Sequence, residues 1–107
     1  MKHLLLTMLL ALFASNVFAA GNPQAGEQKS QVCQACHGAD GNGIDPTYPR
    51  LAGQYADYMV KALKDYKSGD RVNPVMAGFV GSLTEQDMED LAAFYAAKKG
   101  LIDLKIK

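Results

Sequence analysis

The sequence has few residues of the kinds that bind metal ions or cross-link a chain. Its 107 residues include two cysteines and two histidines, and one of the histidines, His3, lies in the N-terminal segment. A structural zinc site needs about four Cys, His or carboxylate ligands, and no second cysteine pair or histidine pair is there to complete one. The chain also shows no βαβ pattern, which a thioredoxin-like redox motif would require.

The sequence also lacks an excess of charge of either sign and an apolar run long enough to span a membrane. The 11 Lys and Arg residues balance the 11 Asp and Glu residues, so the chain has no basic footprint for nucleic acid. The main apolar run, over residues 4–13, falls short of the ~20 residues that span a bilayer. The sequence therefore predicts no integral membrane span in the processed chain.

The apolar run belongs to a segment typical of a secretory signal. Lys2 gives it a positive start, and small residues form an A-x-A-type cleavage site that ends at Ala19. We expect cleavage after Ala19, or next after Ala20, and export to the periplasm; an uncleaved anchor is the alternative. Residues 1–19 are thus predicted to be a signal peptide. Residues 20–107 are predicted to form one domain, whose small core alone makes it only marginally stable.

The two cysteines belong to one C-x-x-C-H cluster of Cys33, Cys36 and His37. This spacing is typical of the covalent attachment site of a c-type haem. Thiols three residues apart lie on one side of a helical turn, where each can add to one vinyl group of a haem, and His37 can reach the iron. The motif alone leaves other readings open, namely a Cys33–Cys36 disulfide, a redox pair and a zinc site.

The remaining residues predict an all-α protein with three main helices. Asn22 followed by Pro23 is a favoured helix start, and we expect the first helix over residues 23–33. A one-sided apolar stripe predicts a second helix over residues 54–68. Thr84 is the predicted cap of the last helix.

The last helix is expected to extend to Gly100 and to cross the first, with Gly26 giving room for Leu91, Phe94 or Tyr95. Glycine and proline predict irregular chain over residues 38–53. They also predict a loop over residues 70–83, and this loop contains Met76.

A haem iron held by His37 has one further axial position, and three methionines could fill it. Met59 and Met88 lie on helical stripes, where methionine is usually core filler. Met76 lies in the predicted loop, which can turn a thioether toward a metal. We therefore expect His37 and Met76 to be the two iron ligands.

The ordered set of residues resembles the small bacterial class I c-type cytochromes. It is most similar to their short single-haem members and to one half of their two-haem relatives. The resemblance extends over nearly all of residues 20–107 and rests on Ala25-Gly26, the cluster from Cys33 to Gly38 with Ala39 to Gly41 after it, Tyr48 to Gln54, Tyr58 to Arg71, Met76, and Leu83 to Tyr95.

The resemblance implies the class I cytochrome c fold, with the helices wrapped around one haem c. It implies thioether bonds at Cys33 and Cys36 and iron ligation by His37 and Met76. It also implies that the Pro49 carbonyl accepts a hydrogen bond from the His37 ring, and it makes Arg50 a candidate partner for a haem propionate.

The function that the resemblance implies is electron carriage without substrate turnover. The carrier would be periplasmic and would move one electron from a donor reductase to a terminal oxidase or another redox enzyme. From the composition of the loop that contains them, we expect docking near Ala77 and Phe79. Two alternatives stay open at this point. One is a haem-based ligand binder or sensor, and the other is an electron-accepting subunit of a larger enzyme.

Overall fold

The structure is a computed structural model, and it describes residues 20–102. The predicted signal peptide and the last five residues of the predicted domain lie outside the described residues. Within residues 20–102 there are five α-helices and no strand: α1 (Pro23–Lys29), α2 (Gln31–His37), α3 (Ala56–Ser68), α4 (Pro74–Val80) and α5 (Glu85–Ala96). The all-α prediction is confirmed, although two of these helices were not foreseen as separate elements.

The first predicted helix is divided in two at Ser30. The α1 start is as predicted, because the Asn22 side chain accepts hydrogen bonds from the backbone N–H groups of Gln24 and Ala25 and Pro23 follows it. At Ser30, the side-chain hydroxyl donates to the Glu27 carbonyl oxygen over 2.7 Å. A serine hydroxyl that bonds nearby backbone competes with the regular helical pattern, and the chain continues after it as α2.

The middle helix lies close to its predicted position. α3 begins two residues later than expected and ends at Ser68, with Gly69 after it at a φ of 89°. Glycine adopts this left-handed conformation without a steric penalty, which makes it a favoured residue just past a helix end. α3 therefore stops where the sequence indicates.

The prediction of a loop over residues 70–83 was wrong for its central part, which forms α4. The Asn73 side chain accepts hydrogen bonds from the backbone N–H groups of Val75 and Met76, and Pro74 occupies the first turn. α1 begins in the same way, with a capping asparagine followed by proline. The glycines at positions 78 and 81 pointed to a loop, but a cap of this kind can start a short helix despite them.

The last helix, α5, starts at the predicted cap and ends earlier than expected. Thr84 and Asp87 form a capping box, in which each side chain bonds the other residue's backbone N–H. The helix ends at Ala96 rather than near Gly100. Its buried residues are Met88, Asp90, Leu91, Ala92, Phe94 and Tyr95.

The predicted crossing of the first and last helices is confirmed, and Gly26 lies at the contact. A Cβ atom at Gly26 would lie 2.0 Å from the Asp90 carbonyl oxygen and 2.7 Å from the Phe94 Cβ atom. α1 can therefore approach α5 this closely only with glycine at position 26. Met59 and Val60 of α3 complete the core against the apolar face of α5.

No helix within residues 20–102 combines the length and the apolar composition that a bilayer crossing requires.

Candidate haem site

A cavity of about 350 Å³ opens between α2, α3, α4 and the chain that joins α2 to α3. Aliphatic and aromatic side chains form most of its wall. All the residues proposed as site residues from the sequence line this one cavity: Cys33, Cys36, His37, Pro49, Arg50 and Met76. The structure thus brings together residues from three separate segments of the chain.

The C-x-x-C-H cluster forms the last turns of α2. Both thiols are free and half-buried, and His37 is buried with 7% of its surface exposed. Gly38 ends the helix at a φ of 82°. The chain then turns back, and the N–H of Gly43 donates to the His37 carbonyl over 2.7 Å, so the end of α2 is held against the following loop.

The His37 ring is oriented by the chain that follows. Its Nδ1 atom lies 2.8 Å from the Pro49 carbonyl oxygen. A carbonyl oxygen can only accept, so Nδ1 carries the hydrogen and donates it. The neutral ring then has an unprotonated Nε2, which is the form in which histidine binds a metal. The hydrogen bond also fixes the ring plane and makes Nε2 a stronger ligand.

The position of Pro49 is itself set by two backbone hydrogen bonds to Gly41. The N–H groups of Leu51 and Ala52 donate to the Gly41 carbonyl oxygen over 2.7 and 2.9 Å. A Cβ atom at Gly41 would lie 2.8 Å from a Tyr95 ring carbon, so the absence of a side chain lets this loop pack on α5. The segment that contains Pro49 is therefore fastened to the core.

Two of the three candidate methionines line the cavity, and the third does not. Met88 is 1% exposed in the α5 core and does not line the cavity. Met59 and Met76 both line it, Met59 from within the buried core and Met76 as a half-buried residue of α4. The backbone N–H of Met76 donates to the Asn73 side chain over 3.0 Å, and this bond helps to hold the Met76 backbone in position.

Burial and charge alter the ionisation of three side chains beside the cavity. Burial raises the pKa of the Cys33 thiol, so this thiol is protonated at neutral pH. The charge of a Cys36 thiolate raises the pKa of Tyr48. Burial, followed by the charge of a Cys33 thiolate, raises the pKa of Tyr95 well above its usual value. In the unmodified chain, both tyrosines are neutral at ordinary pH.

Several lining residues were not singled out as site residues from the sequence. Tyr48, Gln54 and Arg71 are polar groups of the wall, and Phe79 and Val75 lie at it from α4. Tyr48, Gln54 and Arg71 do fall within the stretches that carry the family resemblance. Only the folded chain shows that they share a cavity with the cluster.

The residues present fit a haem. Two free thiols lie beside an imidazole whose outer nitrogen is available, and the wall is largely apolar, as a porphyrin requires. Two of the alternatives from the motif, the disulfide and the zinc site, find no support in the structure. The cysteines are not joined, and among residues 20–102 no group of three or more His, Cys, Asp or Glu residues is placed to hold a metal ion.

Fold and site together define a small helical protein built around a covalently attached haem. The cytochrome c family profile matches residues 23–96. The chain belongs to the cytochrome c family, with the class I fold, and membership implies a covalently bound haem c at Cys33 and Cys36. These findings agree with the resemblance seen in the sequence.

Individual relatives support the same assignment. The chain is 44% identical over 100 residues to cytochrome c4 of Pseudomonas aeruginosa, covering 92% of this chain and 50% of that protein. It is 40% identical over 83 residues to cytochrome c-554(548) of Halomonas halodenitrificans, covering 75% of this chain and 100% of that protein. Reduced recombinant cytochrome c4 from Pseudomonas stutzeri superposes with a TM-score of 0.72 at 41% identity, covering 78% of this chain and 48% of that one.

The lengths of these relatives differ from one another. The chain spans about half the length of the cytochrome c4 proteins that it matches. The alignment with the Halomonas protein covers all of that protein. A single domain of this size therefore occurs both alone and as part of a longer chain among the relatives.

Proposed function

We propose that the protein is a periplasmic electron carrier that takes one electron from a reductase and delivers it to a terminal oxidase or another redox enzyme. It does not turn over a substrate. The observation that carries the proposal is the hydrogen bond from His37 to the Pro49 carbonyl, because it engages Nδ1 and leaves Nε2 as the ring nitrogen for a metal at a cavity that two free thiols also line.

In this proposal, Cys33 and Cys36 bind the haem through thioether bonds, and His37 and Met76 bind the iron. A haem iron supplies one-electron chemistry by alternating between the ferrous and ferric states, and a thioether ligand raises its reduction potential. Filling both axial positions leaves no open coordination site, so the residues arranged here favour electron transfer over oxygen chemistry. Pro49 orients His37, and Arg50, which lines the cavity, is the proposed partner of a propionate.

Partner proteins are proposed to dock at the exposed part of α4. Val75, Ala77 and Phe79 are all exposed there, with Phe79 at 46% exposure, and Val75 and Phe79 also line the cavity. Electron-transfer complexes use small interfaces. A small apolar patch at the cavity mouth suits brief docking close to the haem.

The cofactor part of the proposal is tested on the full chain, expressed with its leader in a bacterium that attaches haem to C-x-x-C-H motifs. We expect red protein whose colour stays with the polypeptide after acid–acetone extraction. The matched Cys33→Ser/Cys36→Ser variant should lose its colour in that extraction. A colourless but folded wild-type protein, or colour that extracts from it, would overturn the proposal.

The carrier function is tested on the same holoprotein after osmotic shock. Purification as a single small species from the periplasmic fraction, with a mass that starts after Ala19 or Ala20, supports a free carrier. Isolation only as part of a larger complex would favour the electron-accepting subunit instead. A ferrous spectrum that shows a missing or labile methionine bond would favour the ligand-binding alternative.

A further inference from the structure

The cavity has an uneven distribution of charge. Arg50 and Arg71 are the charged side chains of its wall, and no carboxylate lines it. Neither guanidinium forms an ion pair within residues 20–102, where the ion pairs use Lys29, Lys61 and Lys64. Two unpaired cations at a largely apolar cavity suit a ligand with an apolar body and two carboxylates.

Arg71 is held in place from both its backbone and its side chain. After α3 ends, the backbone N–H groups of Gly69 and Arg71 donate to the Asp65 carbonyl oxygen over 3.0 and 3.1 Å. The guanidinium carbon lies 4.8 Å from the centre of the Tyr66 ring, and Tyr66 also lines the cavity. A cation over the face of an aromatic ring is attracted to it, so the Tyr66 ring helps to hold the guanidinium.

The contact with the Tyr66 ring is compatible with hydrogen bonds from Arg71 to a ligand. A guanidinium has five N–H donors in one plane, and contact through its flat face uses none of them. The same geometry suits the paired hydrogen bonds by which arginine binds a carboxylate. Arg71 is exposed, but its contact with Tyr66 and its place in the cavity wall leave it able to receive a carboxylate there.

We propose that Arg71, positioned by the Tyr66 ring, binds one propionate of the haem and that Arg50 binds the other. The positive charge of Arg71 then raises the reduction potential of the haem. This inference rests on the proposed function, since it needs the haem in the cavity. The sign follows from electrostatics. The ferric state has one more positive charge than the ferrous state, so a nearby cation disfavours oxidation.

The test compares midpoint potentials of the haem-loaded protein at pH 8 and low ionic strength. The variants are Arg71→Gln, Arg71→Lys and the control Lys99→Gln. Lys99 is exposed, lies outside the cavity wall and forms no ion pair within residues 20–102. Lys99→Gln removes one positive charge, as Arg71→Gln does, but away from the cavity. Thermal unfolding of each variant shows whether the fold is intact.

At a fixed applied potential, Arg71→Gln should raise the ratio of oxidised to reduced protein by about three- to tenfold. A tenfold change equals a fall of about 59 mV in the potential of a one-electron couple. Arg71→Lys keeps the charge and should recover at least half of the change. Lys99→Gln should alter the ratio less than about twofold, because solvent and salt screen exposed charges.

A second pair of variants tests the role of the ring without removing the charge. Tyr66→Leu removes the stacking surface, whereas Tyr66→Phe keeps it. We expect Tyr66→Leu to lower the midpoint potential more when Arg71 is present than in the Arg71→Gln protein. Tyr66→Phe should leave the midpoint potential unchanged in both proteins. If Arg71→Gln yields no pigment, the two Tyr66 variants are compared in the Arg71 protein alone, where a fall in potential for Tyr66→Leu but not for Tyr66→Phe supports the inference and equal potentials overturn it.

The inference is overturned if Arg71→Gln matches Lys99→Gln, or if Arg71→Lys lowers the potential as far as Arg71→Gln does. It is also overturned if Tyr66→Leu has the same effect with and without Arg71. Failure of the proposed function looks different, because wild-type protein would then contain no covalent haem at all.

Discussion

The Lys29 ammonium group lies 2.6 Å from Asp90 Oδ2, where α1 crosses α5. Asp90 is 3% exposed, and its other oxygen accepts hydrogen bonds from the backbone N–H of Asn22 over 2.8 Å and from the Gln86 side chain over 2.9 Å. A buried carboxylate is tolerated only when it is paired and hydrogen-bonded in this way. The hydrogen bond from Lys29, followed by that from the Asn22 backbone, lowers the pKa of Asp90 to about 2.

This lowered pKa predicts an acid-dependent loss of stability. A carboxyl whose pKa is about 2 in the folded chain and 3.8 in the unfolded chain stabilises the fold above pH 3.8. The contribution fades as the pH falls from about 4 to about 2, because protons then bind the unfolded chain first. Asp90→Asn should lower the free energy of unfolding at pH 7 by about 1–2 kcal/mol, and the difference from wild type should shrink near pH 2.5.

Denaturant unfolding of the haem-loaded proteins at both pH values measures this effect. Asp70→Asn is the matched control, because Asp70 is exposed and surface substitutions usually change stability by less than about 0.5 kcal/mol. A gap between wild type and Asp90→Asn that stayed constant down to pH 2.5 would contradict the proposed ionisation of Asp90.

Gly26→Ala should disrupt the helix crossing. The added Cβ atom would overlap the Asp90 backbone, at 2.0 Å from its carbonyl oxygen, and a backbone atom cannot rotate away. Forcing an extra carbon into such a contact costs about 1–3 kcal/mol or more. Gly78→Ala is the control, since a Cβ atom there meets nothing within 4 Å. Thermal unfolding should show a clear drop for the first variant and little change or a small gain for the second.

Met76→Ala should open one axial position of the iron. The ferrous variant is then expected to bind carbon monoxide, which the wild type should not do. Met59→Leu is the control, because Met59 also lines the cavity and leucine has a similar volume. Carbon monoxide binding by the ferrous Met59→Leu protein, with none by Met76→Ala, would assign the ligand to Met59 instead.

The docking patch on α4 can be tested without knowing the natural partner. Two molecules of this protein, one oxidised and one reduced, exchange electrons when they meet at their haem edges, and NMR line broadening measures the rate. Phe79→Glu places like charges at that contact, which repel, and should slow the exchange about tenfold. Ile102→Glu adds the same charge at an exposed residue outside the cavity wall and should change the rate little. Equal rates for both variants would remove the patch from the proposal.

The two Asn-Pro sequences show how far local patterns can predict the fold. Asn22-Pro23 predicted the start of α1 correctly, whereas Asn73-Pro74 makes the same cap at α4 and was read as part of a loop. The difference lay in the missing apolar periodicity and in Gly78 and Gly81, because glycine lowers the propensity for a helix. In the folded chain, α4 packs against α3, and tertiary packing of this kind stabilises short helices that propensity alone does not.

The sequence by itself determined which residues are grouped as candidates for haem attachment, and it determined the helical class. Cys33, Cys36 and His37 are neighbours along one turn, so their spacing is enough to place two thiols and an imidazole together, and helical periodicity needs no distant contacts. Only the tertiary structure decided that the His37 ring meets the Pro49 carbonyl and that Arg71 stacks on Tyr66 at the cavity that also contains Met76. It likewise decided that Gly26 meets Asp90. These relationships depend on how α1, α3, α4 and α5 pack, and packing joins segments whose separation along the chain hides their contact.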